Sequence, residues 1–250
     1  MYTNRPTPQI LMQYFKNLPY ENITKIFRLS LEPENRPRKL LTVFRDNEDL
    51  GSGGTCFSLT NSAVELFRQN HIPAWPIEGK MARRSFPHYA FICHYQGHHC
   101  FADPGYLIYE IISLPKNGAS VQFSNGVIDY RITNLENDQY ALFQNNNDNY
   151  QEKYRFSLKP VSDSLFRQHW LESFEAMHEI VLSRLLNDRF IYIHGNFVQI
   201  RTRNSTWKMA DREKTRAALF EFFTFSPEQI AEAERLLYNH INERKVLNEY

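Results

Sequence analysis

The hydrophobic pattern of this chain changes its period near Ile77, and this change limits the folds open to it. Before that point apolar residues recur at helical spacing, as in Leu59, Ala63 and Phe67. After it, short segments alternate with a period of two, which is typical of half-buried strands. A mixture of helical and strand-like segments occupies the last third. This order of elements predicts an α+β fold.

Composition excludes several classes of protein. The chain has 250 residues, with 29 Lys and Arg against 28 Asp and Glu, so bulk attraction to nucleic acid is not expected. No segment approaches the ~20 apolar residues that span a bilayer, and the N-terminus lacks the pattern of a secretory signal. Three cysteines, an odd number, do not suit a disulfide framework. We expect a cytoplasmic protein with reduced thiols, no membrane or nucleic-acid partner, and a monomeric or small homo-oligomeric state.

Further elements are predicted from local patterns. Solvated loops are expected over 33–39 and 144–149 because neither segment carries core-forming residues. One long helix is predicted from about Asp163 to Leu186, followed by a hairpin with a Gly195-Asn196 turn. The capping box Ser226-Pro-Glu-Gln229 predicts the start of a closing helix. Short strands are predicted at Leu107–Ile112, Ser120–Phe123, Val127–Ile132 and Tyr154–Leu158.

Cys56 lies where a thiol is readily activated. It follows the flexible segment Gly51-Ser-Gly-Gly-Thr55 and begins a helical pattern. The partial positive charge at a helix N-terminus stabilises a thiolate, and free backbone N–H groups point towards it. The three glycines of the segment are expected to let a substrate approach the backbone closely. A nucleophilic cysteine also needs a base and a group that orients the base.

The segment after the change of period supplies both groups. His88–Tyr95 and His98–Asp103 are predicted strands, joined by the two-residue turn Gln96-Gly97. With that turn, His88 and Asp103 lie on the same face as diagonal neighbours. Diagonal neighbours lie ~7–8 Å apart between backbones, which allows a hydrogen bond between an imidazole and a carboxylate. The hairpin therefore predicts His88 as the base and Asp103 as its orienting acid.

The remaining cysteines and histidines of the hairpin do not form a convergent metal set. His94 and His99 fall on one face of the hairpin, whereas Cys93, His98 and Cys100 fall on the other. Zinc needs four convergent ligands, so we expect no metal. We interpret Cys93 and Cys100 instead as a cross-strand pair that stays reduced in the cytoplasm and is able to form a disulfide under oxidation.

Three short segments resemble the arylamine N-acetyltransferases. Gly53-Gly-Thr-Cys-Phe57 is similar to the Arg-Gly-Gly-x-Cys-Phe nucleophile motif of that family. Leu18–Ile23 is similar to its Pro-Phe-Glu-Asn motif, and Asp103-Pro-Gly-Tyr106 to its Asp-Val-Gly-Phe segment. The resemblance implies a three-lobed fold like that of the cysteine proteases. Its lobes are a helical bundle with the nucleophile over 1–76, a β-barrel with His and Asp over 77–161, and an interdomain helix with an α/β lid over 162–250.

The resemblance also implies acyl transfer by a ping-pong mechanism. Cys56 takes an acetyl or other acyl group from an acyl-CoA co-substrate and passes it to a small-molecule amine, and no cofactor stays bound. His88 deprotonates the thiol, Asp103 orients the imidazole, and the backbone N–H of Cys56 is an oxyanion donor. The candidate substrate contacts are Tyr106, Gly105 and Phe57.

The chain departs from the family pattern at several positions, which include Thr60 where the family has Asn and Pro104 where it has Val. Ser52 stands where the family has Arg, and Ser58 stands where it has Glu. We interpret that Arg and Glu as a supporting ion pair, and the loss of both leaves no orphan charge. Tyr106 is larger than the family's Phe, and Leu107 replaces its second glycine. These two changes affect the expected CoA and acceptor contacts more than the three catalytic residues.

Two other functions fit the same residues. One is a transglutaminase-like cysteine hydrolase or amide-forming enzyme that does not use CoA, since Cys56 and Asp103-Pro104 also suit that wider superfamily. The other is a non-catalytic binding scaffold of the same fold. Dependence on a CoA thioester separates the acyltransferase from the first alternative. Selective alkylation of Cys56 separates both enzymes from the scaffold.

Overall fold

The fold is given by a computed structural model that describes residues 5–82, 86–146 and 149–247. Its α-helices are α1 (Pro8–Gln13), α2 (Ile23–Phe27), α3 (Leu40–Leu50), α4 (Cys56–Gln69), α5 (Asp163–Glu175), α6 (Arg212–Phe222) and α7 (Pro227–Leu247). Its strands are β1 (Tyr20–Glu21), β2 (Ala74–Met81), β3 (His88–Tyr95), β4 (His98–Asp103), β5 (Ile108–Ser113), β6 (Ser120–Ser124), β7 (Asp129–Asn134), β8 (Gln139–Asn146), β9 (Asn149–Ser157), β10 (Val181–Leu186), β11 (Arg189–His194), β12 (Phe197–Arg201) and β13 (Thr206–Ala210). The mixture of helix and sheet agrees with the predicted α+β class.

Contacts within the chain group these elements into two compact units. Among the described residues, the first unit takes the chain up to Asn17 together with Cys56–Phe166. The second takes Leu18–Thr55 and the chain from Arg167 onward. This division differs from the three predicted lobes, which stay a prediction. None of the helices in the described ranges has the length and apolar content that a membrane-spanning segment needs.

The first unit is built on an antiparallel sheet of eight strands in the order β5-β4-β3-β2-β9-β8-β7-β6. The predicted hairpin of β3 and β4 is confirmed, with Tyr95 opposite His98 and Phe91 opposite Ala102. Both turn residues, Gln96 and Gly97, adopt positive φ angles of 49° and 80°. A two-residue turn of that hand matches the right-handed twist of the strands, and it sets the register of the whole hairpin.

Helix α4 packs on β2 and β3 in the same unit. Its apolar positions Leu59, Ala63 and Phe67 are fully buried, as their spacing predicts. The Phe67 ring lies 5.1 Å from the ring of Phe91 on β3. Because α4 begins at Cys56, this packing places the start of the helix, and therefore the thiol, beside the strands that carry His88 and Asp103.

The second unit contains a five-stranded antiparallel sheet in the order β1-β10-β11-β12-β13. The predicted hairpin with the Gly195-Asn196 turn is confirmed, since His194 pairs with Phe197. The predicted capping box is also confirmed. The Ser226 N–H donates to Gln229 Oε1 at 2.7 Å, and the Gln229 N–H donates to Ser226 Oγ at 3.3 Å.

Two local predictions are wrong, and a third has one exception. The helix predicted over 163–186 ends at Glu175, and β10 occupies its last part, because a short apolar run suits a strand as well as a helix. In the polar segment expected to be a loop over 144–149, residues 144–146 continue β8 and residue 149 starts β9, because backbone pairing extends past the apolar residues. Residues 147 and 148 lie outside the described residues. The loop over 33–39 is mostly exposed, as predicted, with the exception of Arg38, which is 4% exposed.

Candidate active site

The segment before Cys56 is held by backbone contacts within the second unit. The Gly54 N–H donates to the Pro19 carbonyl at 3.1 Å, and the Gly54 carbonyl accepts from the Glu21 N–H at 3.0 Å. A Cβ on Gly53 would lie 1.9 Å from the Pro19 oxygen, and one on Gly51 would lie 1.9 Å from Thr224 Oγ1. Close packing within the protein therefore explains Gly51 and Gly53, without the substrate approach that the sequence suggested.

His88 and Asp103 meet as the hairpin register predicts. His88 Nε2 lies 2.8 Å from Asp103 Oδ2, and both side chains are buried. The second carboxylate oxygen accepts the Tyr106 N–H at 3.1 Å, which caps the short 3₁₀ turn over Pro104–Tyr106. The orientation of the carboxylate is therefore set by its own backbone turn, and the carboxylate in turn orients the imidazole.

Tyr154, on β9, is a further partner of this carboxylate. Its hydroxyl donates to Asp103 Oδ2 at 2.5 Å, and its ring centroid lies 5.0 Å from that of His88. Burial, followed by the charge of Asp103, raises the pKa of Tyr154 well above its ordinary value. The phenol consequently stays protonated and acts as a hydrogen-bond donor. Asp103 thus accepts three hydrogen bonds while it is fully buried, which offsets the cost of burying its polar oxygens.

The pKa of His88 is set by opposing effects. Burial lowers it, whereas the charge of Asp103, the side chain of Cys56 and hydrogen bonds to both raise it to about 10. His88 therefore carries a proton at neutral pH. Because Asp103 engages Nε2, the other ring nitrogen, Nδ1, is left for Cys56. The arrangement is suited to a thiolate beside an imidazolium, with a buried carboxylate on the far side of the ring.

Gly105 packs closely against Cys56, His88 and Asp103. A Cβ placed on it would lie 3.0 Å from Cys56 Cβ, 3.0 Å from His88 Cε1 and 3.2 Å from Asp103 Oδ1. Its φ lies outside the left-handed region, so space, and not backbone conformation, accounts for the glycine. The three predicted catalytic side chains therefore converge around the position that a Cβ on residue 105 would occupy.

The other candidate substrate contacts have different surroundings. The ring of Tyr106 is half-buried and meets His88 edge-on, with centroids 4.9 Å apart. Phe57 is buried and lies 4.9 Å from Tyr89 and 5.7 Å from Phe166 between ring centroids. Phe57 consequently belongs to an aromatic cluster of the first unit's core, whereas the Tyr106 ring contacts the imidazole of His88.

The second pair of cysteines lies away from this chemistry. Cys93 and Cys100 are free thiols directly opposite each other on β3 and β4. A hydrogen bond between them lowers the pKa of Cys100 to about 7 and raises the pKa of Cys93. The rings of His94 and His99 lie 5.4 Å apart. Within the described ranges, no three His, Cys, Asp or Glu side chains are grouped as a metal site would require.

Comparison with known proteins identifies the fold. No family model matches the chain, and no curated protein is significantly similar to it in sequence. The arylamine N-acetyltransferase from M. tuberculosis matches with a TM-score of 0.73 at 13% identity, over 95% of each chain. The Mycobacterium marinum enzyme in complex with CoA matches with a TM-score of 0.71 at 14% identity, over 97% of this chain and 95% of that one. The Nocardia farcinica enzyme matches with a TM-score of 0.70 at 17% identity, over 93% and 87%.

The chain has the fold of the arylamine N-acetyltransferases.

Departures from the arylamine N-acetyltransferase motifs are accommodated without buried charge at the altered positions. Ser52 and Ser58 are both buried, and within the described residues Ser52 Oγ has no hydrogen-bond partner. Leu107 adopts the left-handed conformation, with φ at 57°, that the family's glycine would adopt freely. Its side chain is buried, and that burial offsets the strain of a non-glycine residue in this region.

Proposed function

We propose that the protein is an acyltransferase that moves an acetyl or other acyl group from an acyl-CoA to a small-molecule amine. The observation that carries the proposal is the buried contact of His88 with Asp103 beside Cys56, in which the imidazole holds a proton at neutral pH. The fold supports the same chemistry, and one arylamine N-acetyltransferase of this fold was solved with CoA. The three-lobed description, with a lid over 162–250, and a cytoplasmic location belong to this proposal.

In the first half-reaction, the Cys56 thiolate attacks the thioester carbonyl of the donor. The carbonyl oxygen gains negative charge, which the backbone N–H of Cys56 is suited to stabilise at the start of α4. When the tetrahedral intermediate breaks down, the C–S bond to CoA is lost and the imidazolium of His88 gives its proton to the leaving thiolate. A new thioester at Cys56 and free CoA thiol result. The raised pKa of His88 makes it the acid in this step.

In the second half-reaction, the now neutral imidazole acts as a base. The amine attacks the Cys56 thioester, and His88 takes the proton that the amine loses as the new amide bond forms. Collapse of this intermediate breaks the C–S bond and restores the thiolate beside the imidazolium. Asp103 stabilises the imidazolium of the free enzyme and orients the neutral imidazole of the acyl-enzyme, and Tyr154 and the Tyr106 N–H hold the carboxylate in place.

The test is a two-substrate kinetic analysis with acetyl-CoA and an aromatic amine or hydrazine. We expect parallel double-reciprocal lines, no product without the CoA thioester, and no turnover by Cys56→Ala. Cys100→Ala is the matched control, because it removes a different buried thiol from the same unit. Turnover of amides without any CoA thioester would instead support the transglutaminase-like alternative. Full activity of Cys56→Ala would refute the proposal.

A further inference from the structure

Arg38 is a buried arginine outside the three segments that resemble the family, and its guanidinium lies near oxygens of Asp46, Gly53 and Glu21. Its Nη1 lies 2.9 Å from Asp46 Oδ2. Its Nη2 donates to the Gly53 carbonyl at 2.6 Å and lies 3.8 Å from Glu21 Oε1. A guanidinium presents several donors in a fixed planar fork, so one side chain reaches all three oxygens.

The contact with Gly53 holds a peptide unit of the nucleophile segment at both ends. The carbonyl of the Gly53–Gly54 peptide accepts from Arg38, and its N–H donates to the Pro19 carbonyl. The next carbonyl, that of Gly54, accepts from the Glu21 N–H. Two consecutive peptide planes of the second unit are therefore fixed directly before Cys56 in the chain.

Arg38 also supplies the positive charge that the motif position lacks. Glu21 is fully buried, and its carboxylate accepts from the Thr24 N–H at 2.8 Å and from Thr24 Oγ1 at 2.5 Å. Its nearby guanidinium comes from Arg38, whereas the family motif that this chain resembles carries its arginine at the position of Ser52. One side chain from the segment before α3 thus links the Leu18–Ile23 segment to the Gly53–Phe57 segment.

We propose that Arg38 is a positioning residue for acyl transfer, which replaces the missing motif arginine from a different place in the chain. It fixes the Gly53–Gly54 peptide, and through it the orientation of the Cys56 N–H towards the developing oxyanion. This inference rests on the proposed function, because it requires an acylation step at Cys56. It does not require that the acyl donor be a CoA thioester.

The test compares Glu21→Gln with the double variant Glu21→Gln/Arg38→Met. The pair is matched at Glu21, because neither protein contains a buried Glu21 charge without a cation. The double variant loses the Gly53 contact and, with it, the ion pair to the partly exposed Asp46. Acylation is followed with p-nitrophenyl acetate, an activated ester whose attack by a thiolate passes through an oxyanion. Alkylation is followed with iodoacetamide, whose displacement by a thiolate forms no oxyanion. We expect acylation of the double variant to be at least about 10-fold slower than that of Glu21→Gln, with alkylation changed less than about 2-fold.

Arg38→Lys provides a second variant in case the double variant does not fold, since lysine keeps the charge but has no planar fork. We expect it to acylate more slowly than the wild type and to alkylate normally. Equal acylation in the matched pair, or full acylation by Arg38→Lys, would overturn the inference. A parallel fall in both rates would assign Arg38 to stability alone and would also overturn it. A wild-type protein that reacts with the ester but with no acyl-CoA would refute the proposed acyl donor. The comparison of Glu21→Gln with the double variant would still support or refute the role of Arg38.

Discussion

Gly105→Ala places a single methyl group between the three candidate catalytic side chains. The added Cβ would lie 3.0 Å from both Cys56 Cβ and His88 Cε1. Ordinary contacts of a Cβ begin at 3.4 Å, so each of these atoms has to move by about 0.4 Å or more. His88 cannot move freely, because its Nε2 is hydrogen-bonded to a carboxylate that is itself held by Tyr106 and Tyr154.

The sign of the stability change follows from two opposing effects. Replacing glycine by alanine at a compatible φ stabilises a protein by about 0.4–1 kcal/mol, because the unfolded chain loses freedom. Overpacking a tight site costs about 1–3 kcal/mol. We therefore expect Gly105→Ala to be less stable than the wild type by about 1–2 kcal/mol. Because the methyl group also separates Cys56 from His88, we expect acylation to fall about 10- to 100-fold.

Urea unfolding and the rates of Cys56 alkylation and acylation check this prediction. Gly118→Ala is the control: its φ of +74° imposes backbone strain of about 1 kcal/mol, but among the described residues no atom beyond its chain neighbours lies within 4 Å of the new Cβ. The control should lose stability and keep its reactivity. Unchanged or increased stability of Gly105→Ala, together with wild-type reactivity at Cys56, would show that the three side chains do not converge on Gly105.

Two further substitutions test the electrostatics around His88. In the wild type, the His88 ring should titrate near pH 10 by NMR. Asp103→Asn removes the charge that raises the pKa of His88 but keeps the burial that lowers it, so the titration midpoint should fall. A wild-type midpoint near the ordinary 6.5 would contradict the ion pair. Tyr154→Phe removes a donor to the Asp103 carboxylate and should lower the free energy of unfolding by about 1.5–3 kcal/mol. The control Tyr130→Phe loses a hydrogen bond to the neutral carbonyl of Tyr106 and should lower it by about 0.5–1.5 kcal/mol. Equal losses in urea titrations would show that the carboxylate does not depend on Tyr154.

The sequence was most informative where geometry is local. The turn at Gln96-Gly97 determines the partner of each residue on β3, and the period of two determines the face, so the meeting of His88 with Asp103 was predictable. The start of α4 at Cys56 was predictable because apolar positions repeat at helical spacing directly after a glycine-rich segment. Each of these inferences uses one short continuous stretch of the chain.

The rest depends on contacts between distant parts of the chain. Tyr154 reaches Asp103 because β9 lies beside β2 in the sheet, and no local pattern relates these strands. Arg38 lies in a polar segment that composition marks as solvated, and its burial follows from the oxygens of Glu21, Asp46 and Gly53. Strand β10 was predicted as helix because short apolar runs suit either structure, and pairing with β1 and β11 decides between them.

Intact mass spectrometry tests most directly whether Cys56 forms an acyl-enzyme. The protein is incubated with acetyl-CoA without an acceptor, beside Cys56→Ala and the double variant Cys93→Ala/Cys100→Ala. We predict one acetyl adduct on the wild type and on the double variant, and none on Cys56→Ala. No adduct with acetyl-CoA or longer acyl-CoAs, in a protein where Cys56 alkylates faster than Cys93 and Cys100, would contradict acyl transfer from CoA.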